Sequence, residues 1–173
     1  GVIGAAHATA GTDSAGCISL DMGGTTAKAS IVEGGAVAKT GDYEVGAGIN
    51  LSSKLVMGGG YALKLPVIDI SEIGAGGGSI VAVDAGGLMR VGPESAGADP
   101  GPAAYDMGGT SPTFTDAAVV LGYLNPGYLV GGALKLDAEK ARNTLAARVA
   151  APLDTDLLDC AYGIYRVACG TMV

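Results

Sequence analysis

The chain has 173 residues, of which 49% are hydrophobic and 16% charged, so it can bury a core and is not a disordered chain. With a net charge of −7 it shows no basic face, so we expect no nucleic-acid partner. No apolar run reaches the roughly 18 residues of a membrane span, and no signal peptide is recognisable, so we expect no membrane partner.

The cysteines and the chain ends indicate the kind of protein. Three scattered cysteines and one histidine form neither a disulfide framework nor a zinc motif, so we expect reduced thiols and a cytoplasmic protein. The chain starts with glycine on a helical pattern and stops after another helical pattern. We therefore expect residues 1–173 to form a single lobe of a longer protein, incomplete at both ends.

The first half of the chain predicts mainly strands. A helix over residues 1–10 is followed by a hairpin of CISL and AKASIVE and by a second strand pair with a turn near Gly41 and Asp42. Residues 46–60 are bounded by glycines and predict an irregular connection. Residues 61–73 predict one strand, in which Pro66 indicates either an edge position or a break. The run SIVAVDA predicts another strand, with Asp84 in the turn behind it.

The second half predicts three helices. TDAAVVLGYL suits a helix capped by Thr115 or Asp116. LDAEKARNTLAARVAAPL suits an amphipathic helix that begins at Leu136 or Asp137, and the last 20 residues suit a third helix. In the second helix Ala141, Leu145 and Val149 lie on one face. The apolar positions of the third helix are Leu157, Cys160, Ala161, Ile164 and Val167. Strands followed by helices predict a mixed α/β lobe.

The motif DMGGTTAK, which follows the first strand, is the main candidate site. Consecutive backbone N–H groups in such a turn can converge on an anion, with Gly23 and Gly24 avoiding a clash and Thr25 and Thr26 adding hydroxyls. Asp21 supplies the oxygen ligand that magnesium prefers. The pattern therefore suits a magnesium-bound phosphate; the alternative is a hairpin turn whose aspartate bonds its own backbone. Lys28 either joins this site or is a solvated strand lysine.

Two further segments hold candidates with weaker signals. GAGGGS resembles a dinucleotide fingerprint only loosely, because no clear strand–helix frame surrounds it. We name Gly76 and Gly77 as candidate cofactor-binding residues, against the alternative of a glycine-rich bend between strands. Asp116, in PTFTDA, is a candidate catalytic group or metal ligand, against the alternative of a helix cap.

Several ordered motifs resemble one family. DMGGTTAK is similar to a phosphate motif of actin-like ATPases. The segments VIDISEIGAGGGSIVAVDAGG, LMRVGPESAGADPGPAAYDMGGTSPTFTDAAVVLGYLNP and GGALKLDAEKA resemble the hydantoinase A / 5-oxoprolinase family, which includes acetone and acetophenone carboxylase subunits. The resemblance runs from the first residues to about Arg166.

The resemblance implies an actin-like ATPase lobe, of the ribonuclease H-like kind, that uses ATP and Mg²⁺. Gly23, Gly24, Thr25 and Thr26 would face the terminal phosphates, and Asp21 would face the magnesium and serve catalysis. The implied reaction is the opening of a cyclic amide such as 5-oxoproline or hydantoin after phosphorylation of its oxygen. The implied partners are the missing N-terminal lobe of the same protein and a second, hydantoinase B-type subunit. The alternatives are a ketone carboxylase subunit and a non-catalytic structural lobe.

Overall fold

The computed structural model describes residues 1–41, 43–45 and 61–172, which fall into two compact units. The first unit comprises Gly1–Asp21 and Ala27–Ile73, and the second comprises Met22–Thr26 and Gly74–Val173. The predicted irregular connection at residues 46–60 and the predicted turn residue Asp42 lie outside the described residues. The part of the chain that is described contains no helix long and apolar enough to cross a membrane.

Within its described residues, the first unit contains one helix and eight strands. Its elements in chain order are α1 (Val2–Thr9), β1 (Gly16–Met22), β2 (Ala27–Glu33), β3 (Ala36–Val37), β4 (Lys39–Thr40), β5 (Tyr43–Val45), β6 (Tyr61–Leu63), β7 (Val67–Ile68) and β8 (Ser71–Ile73). The predicted helix over residues 1–10 is confirmed, as are the two strands that flank DMGG, which are neighbours in one sheet.

The strand β2 lies inside a four-stranded sheet. It pairs with β1, with β3 through Val32 and Glu33, and with β8 through residues 27–29. Along β2 the buried side chains are Ala27, Ser30 and Val32, and the residues between them are more exposed. From Ser30 onwards, buried and exposed residues alternate, as expected for a strand with one covered face. The Ser30 hydroxyl donates to the Asp69 carbonyl oxygen at 2.7 Å, which satisfies a buried polar group.

Two predictions for this unit are wrong, one on strand pairing and one on the number of strands in residues 61–73, although the predicted break at Pro66 is confirmed. The strands β4 and β5 do not form the expected hairpin: β4 pairs with β7, and β5 pairs with β6. Residues 61–73 form three short strands instead of one, with Pro66 in the gap between β6 and β7. Proline lacks an N–H donor, which explains the break at that point.

The second unit contains the loop Met22–Thr26 and the glycine-rich segment at residues 74–78. That segment is followed by an antiparallel hairpin of β9 (Ser79–Val83) and β10 (Met89–Ser95). Asp84 opens the turn, as predicted. One of its carboxylate oxygens accepts the N–H groups of Gly86 at 2.9 Å and Leu88 at 3.0 Å. These bonds lower the pKa of the Asp84 carboxyl.

Three helices complete the second unit. They are α2 (Phe114–Val120), α3 (Ala138–Leu145), which continues into a π-helical turn at Ala146–Ala150, and α4 (Leu157–Met172). Asp137 caps α3 by accepting the Lys140 N–H at 2.9 Å, as predicted. The cap of α2 is Thr113, not Thr115 or Asp116, because its hydroxyl accepts the Asp116 N–H.

The core of the second unit lies where these helices meet the hairpin. The predicted stripe of Ala141, Leu145 and Val149 is confirmed, since all three residues are fully buried. In α4 the buried residues include Cys160, Ala161 and Ile164, whereas Val167 is 38% exposed. Among the described residues, all three cysteines are free thiols.

Candidate functional site

The loop Met22–Thr26, called here the threonine loop, is anchored by its own backbone. The Gly23 N–H donates to the Thr26 carbonyl at 2.9 Å and closes the turn. The carbonyls of Gly23 and Gly24 accept the N–H groups of Gly77 at 3.0 Å and Gly78 at 2.6 Å. The second unit therefore holds this loop against residues 74–78 through paired main-chain hydrogen bonds.

Residues 74–78 have to be glycine-rich because two stretches of backbone lie against each other here. A Cβ at Gly76 would lie 2.6 Å from the Thr25 carbonyl carbon and 2.7 Å from the Gly24 oxygen. A Cβ at Gly78 would lie 2.9 Å from the Ser95 hydroxyl oxygen. Because glycine has no Cβ, this segment allows the two backbones to pack directly against each other, and it thereby supports the threonine loop.

The predicted cofactor-binding residues Gly76 and Gly77 lie beside the threonine loop, but their N–H groups are occupied. Gly76 donates to the Ser79 hydroxyl oxygen at 2.9 Å, and Gly77 donates to Gly23. Neither N–H is directed to an external anion, so the geometry gives both glycines a supporting part. Sequence reasoning missed Ser79, although a serine directly after a glycine cluster is a typical partner for turn N–H groups.

The N–H groups of Gly24 and Thr25 are different. Within the part of the chain that the structure describes, neither donates a hydrogen bond to the protein. Both residues are exposed. A Cβ at Gly24 would meet no atom within 4 Å, and the φ of Gly24 lies outside the left-handed region. The packing of the chain therefore does not require glycine at this position, and the space beside its backbone is open.

The start of α2 is tied to the same region. Thr115 donates its backbone N–H and its hydroxyl to the Gly77 carbonyl, each at 2.8 Å. A Cβ at Gly77 would lie 2.9 Å from that hydroxyl oxygen. The threonine loop, the glycine-rich segment and the first turn of α2 thus form a continuous backbone network in the second unit.

Asp116 has a structural place in this network. Its side chain is fully buried, and one carboxylate oxygen accepts the Thr113 N–H at 2.8 Å and the Thr113 hydroxyl at 2.7 Å. The other oxygen accepts the Ala104 N–H at 2.7 Å. Burial raises the pKa of the Asp116 carboxyl, while these hydrogen bonds act in the opposite direction. The geometry makes Asp116 the N3 residue of a capping box with Thr113 rather than a catalytic group, because no face of this carboxylate is open.

Asp21 precedes the threonine loop directly in the sequence and is exposed at the end of β1. Among the described residues, no group of three or more His, Cys, Asp or Glu side chains could hold a metal by itself. Lys28 forms an ion pair with Glu72 at 3.2 Å across β2 and β8. That pair matches the alternative of a strand lysine.

These features define the protein as a mixed α/β lobe in which a glycine and threonine loop follows the first long strand. The chain belongs to the hydantoinase/oxoprolinase family, whose model matches residues 1–173. The family resemblance predicted from the sequence is therefore confirmed.

Curated relatives of several activities share this region. The chain is 47% identical over 158 residues to an uncharacterized protein of Methanocaldococcus jannaschii, which is 90% of this chain and 22% of the relative. It is 37% identical over 158 residues to the caprolactamase subunit alpha of Pseudomonas jessenii, 90% of this chain and 20% of the relative. It is 43% identical over 102 residues to the acetophenone carboxylase gamma subunit of Aromatoleum aromaticum, 58% of this chain and 14% of the relative. The chain thus spans about a fifth or less of the length of these relatives.

Solved structures agree with this assignment. ATP-dependent caprolactamase from Pseudomonas jessenii matches with a TM-score of 0.78 and 34% identity, over 99% of this chain and 23% of that one. Nucleotide-free acetone carboxylase matches with a TM-score of 0.77 and 28% identity, over 96% of this chain and 22% of that one. The predicted fold class, an α/β lobe of the actin-like ATPase type, is confirmed.

Proposed function

We propose that the chain is part of an ATP-dependent hydrolase of cyclic amides and that its threonine loop binds the terminal phosphates of ATP. The observation that carries this proposal is the pair of exposed N–H groups at Gly24 and Thr25, which have no acceptor within the described protein. Adjacent main-chain N–H groups on an anchored turn suit an anion. The open space beside Gly24 lets a phosphate oxygen approach the backbone closely.

Magnesium fits this proposal through Asp21. Mg²⁺ in phosphate sites is commonly held by one or two carboxylates together with phosphate oxygens and waters, so it needs no cluster of protein ligands. Asp21 is exposed and lies one residue before the threonine loop in the sequence. Bound there, Mg²⁺ would neutralise charge on the phosphates, while the Gly24 and Thr25 N–H groups orient them. We propose no catalytic step for Asp116, Gly76 or Gly77, whose polar groups are occupied.

The proposed reaction uses ATP to activate the amide. The carbonyl oxygen of the lactam attacks the γ-phosphorus, the bond from phosphorus to the β–γ bridging oxygen breaks, and ADP leaves. Water then adds to the carbon of the phosphorylated imidate and the ring C–N bond breaks, which leaves a free amine and an acyl phosphate. A second water cleaves the acyl phosphate to a carboxylate and inorganic phosphate, so ATP, the lactam and two waters give ADP, phosphate and an amino acid. We propose a substrate of the 5-oxoproline or hydantoin type because the family description covers both hydantoinases and oxoprolinases.

A second candidate function is the ATP-using part of a ketone carboxylase. It is supported by the similarity to the acetophenone carboxylase gamma subunit and to acetone carboxylase. The same loop would serve both functions, because each needs a phosphate held beside a carbonyl oxygen. Measuring whether bicarbonate is required for ADP release in the complete enzyme would separate them.

The proposed partners follow from the length of the relatives and from their names. Caprolactamase alpha and acetophenone carboxylase gamma are named as subunits. We propose that the chain works with an N-terminal lobe of the same protein and with a second, hydantoinase B-type subunit. The small-molecule partner is the cyclic amide.

The proposal is tested by titrating the chain with Mg-ATP in a calorimeter, using wild type, Gly24→Ala and Gly11→Ala. Gly11 is the matched control, because a Cβ there also meets no atom within 4 Å and its φ is also outside the left-handed region. We expect wild type and Gly11→Ala to bind alike. We expect Gly24→Ala to bind at least about tenfold more weakly, a loss of about 1.4 kcal/mol, because its methyl group occupies the space of a phosphate oxygen.

Circular dichroism and thermal melting should show that all three proteins fold alike. Equal Mg-ATP affinity of wild type and Gly24→Ala would contradict the assignment of the threonine loop. An Asp21→Asn variant that binds ATP with an unchanged requirement for magnesium would contradict the metal assignment alone.

A further inference from the structure

Two chains of hydrogen-bonded peptide groups run through the second unit and end at the threonine loop. In the first chain, the peptide group between Gly77 and Gly78 donates its N–H to the Gly24 carbonyl at 2.6 Å. The Gly24 carbonyl belongs to the same peptide group as the Thr25 N–H, which has no acceptor within the described protein. This chain therefore ends on one of the two N–H groups proposed to bind phosphate.

The second chain runs beside the first and ends at the neighbouring donor. The Ser79 N–H donates to the Gly76 carbonyl at 3.1 Å. The Gly77 N–H, in the same peptide group as that carbonyl, donates to the Gly23 carbonyl at 3.0 Å. The Gly23 carbonyl in turn shares its peptide group with the Gly24 N–H. Each proposed phosphate donor is thus the last member of a chain that passes through the glycine-rich segment.

The chain that ends at Thr25 begins at a side chain, that of Thr115. Thr115 donates its N–H and its hydroxyl to the Gly77 carbonyl, each at 2.8 Å. Together the two bonds occupy both lone pairs of that oxygen. Because Thr115 is only 5% exposed, water competes little for these bonds.

A hydrogen bond accepted by a peptide carbonyl polarises the N–H at the other end of the same peptide group. Across a planar trans peptide the C=O and N–H point in opposite directions, so the dipoles of successive groups align along a chain. Each bond strengthens the next by about 10–30%. The Thr115 hydroxyl therefore strengthens the bond from Gly78 to Gly24 and, one group further, makes the Thr25 N–H a better donor to an anion.

We propose that Thr115 is a positioning residue for the phosphate site, whose hydroxyl polarises and orients the Thr25 N–H through two peptide groups. This rests on the proposed function, because the acceptor of that N–H would be a terminal phosphate of ATP. The hydroxyl acts at a distance, since its proton is donated to Gly77. A change at Thr115 should thus affect Thr25 more than Gly24, which ends the other chain.

The experiment combines ¹⁵N–¹H correlation spectra of the chain with calorimetric titration by Mg-ATP. Thr115→Val removes the hydroxyl at nearly constant volume and keeps the backbone N–H, whereas Thr115→Ser keeps a hydroxyl. Thr171→Val is the matched control, because it also removes a threonine hydroxyl that donates to a carbonyl, that of Val167 at 3.0 Å, outside the two chains. If Thr115→Val does not fold by circular dichroism, Thr115→Ala takes its place.

Without nucleotide, the amide proton signals of Gly78 and Thr25 should move upfield in Thr115→Val, because a less polarised N–H is less deshielded. The change should be larger at Gly78, and the Gly24 signal should move no more than in Thr171→Val. Thr115→Val should bind Mg-ATP about threefold more weakly than wild type. Thr115→Ser and Thr171→Val should bind like wild type. A residue with only a structural part would lower Tm without distinguishing Thr25 from Gly24.

Each result decides the proposal. A selective shift at Thr25 together with weaker Mg-ATP binding, both reversed in Thr115→Ser, supports it. An unchanged Thr25 signal, equal changes at Gly24 and Thr25, or a Thr115→Ser variant that binds as weakly as Thr115→Val overturns it. Equal Mg-ATP affinity of wild type and Thr115→Val overturns this proposal alone, whereas a wild type that binds no Mg-ATP overturns the proposed function as well.

Discussion

The substitution Gly76→Ala tests the reason for the glycine-rich segment at residues 74–78. The new methyl carbon would lie 2.6 Å from the Thr25 carbonyl carbon and 2.7 Å from both the carbonyl carbon and the oxygen of Gly24. All three are backbone atoms of the threonine loop, so the clash is relieved only if the loop moves away. Such overpacking typically costs 1–3 kcal/mol, and the fixed backbone on both sides puts Gly76→Ala at about 3 kcal/mol.

The loss of stability can be measured by urea unfolding and by thermal melting. For a domain of 150–250 residues, about 3 kcal/mol corresponds to a fall in Tm of about 6–12 °C. Gly24→Ala is the internal comparison, because its methyl group meets nothing within 4 Å, and it should change the free energy of unfolding by less than about 1 kcal/mol. If Gly76→Ala were as stable as Gly24→Ala, the close backbone packing described here would be refuted.

Three further predictions concern other residues of the second unit. Because burial raises the pKa of Asp116, its own contribution to the free energy of unfolding should fall as pH rises from about 4 through that raised pKa. Thermal melts across pH should therefore show that the stability of wild type relative to Asp116→Asn decreases over this range. Hydrogen bonds from Leu88 and Gly86 lower the pKa of Asp84, so the stabilisation by its carboxylate is present above the unfolded pKa and is lost as pH falls through the folded pKa. Asp84→Ala should therefore have a lower Tm than wild type near neutral pH and a smaller fall in Tm on acidification. An acid profile of Tm equal to that of wild type would contradict this. Leu145→Ala should lower the free energy of unfolding by about 2–5 kcal/mol in urea, because the side chain is fully buried, and a loss below 1 kcal/mol would contradict its place in the core.

Local sequence patterns were enough to predict several elements. The helix α3 follows from Asp137 as a cap and from the spacing of Ala141, Leu145 and Val149, all within 13 positions. The turn at Asp84 follows from an acid placed before two glycines. In each case the decisive contacts join residues close in sequence, so periodicity and turn chemistry contain the needed information.

Non-local contacts were not accessible in the same way. The pairing of β4 with β7 joins residues 27 or 29 positions apart, and nothing in AVAKTGDYEVG distinguishes it from a local hairpin. The contact of Gly76 with the threonine loop spans about 50 positions. A glycine cluster predicts close backbone approach, but the sequence alone does not say whether the neighbour is a ligand or another part of the chain. The sequence therefore predicts Gly76 as a cofactor-binding residue, whereas in the structure it packs against the threonine loop.

The role of Asp116 likewise depends on contacts that the sequence alone does not reveal. An acid near a glycine-rich region suits a helix cap, a metal ligand or a catalytic group equally well by residue type. Its burial and its bonds to Thr113 and Ala104 depend on how residues 101–104 fold back on α2, which is a tertiary feature. For the threonine loop, threonines and adjacent glycines after a strand are typical of phosphate sites, and its assignment as one stays a prediction.

The most direct measurement for the central claim is a ¹⁵N–¹H correlation spectrum of the chain during titration with Mg-ATP. We expect the backbone amide signals of Gly24 and Thr25 to shift in a saturable way, because these N–H groups would then donate to phosphate oxygens. The signals of Gly76 and Gly77 should shift much less, since their N–H groups already have acceptors in the protein. Saturable shifts at Gly76 and Gly77 with none at Gly24 and Thr25, or no saturable shift at any of the four, would contradict the assignment of the threonine loop as the phosphate site.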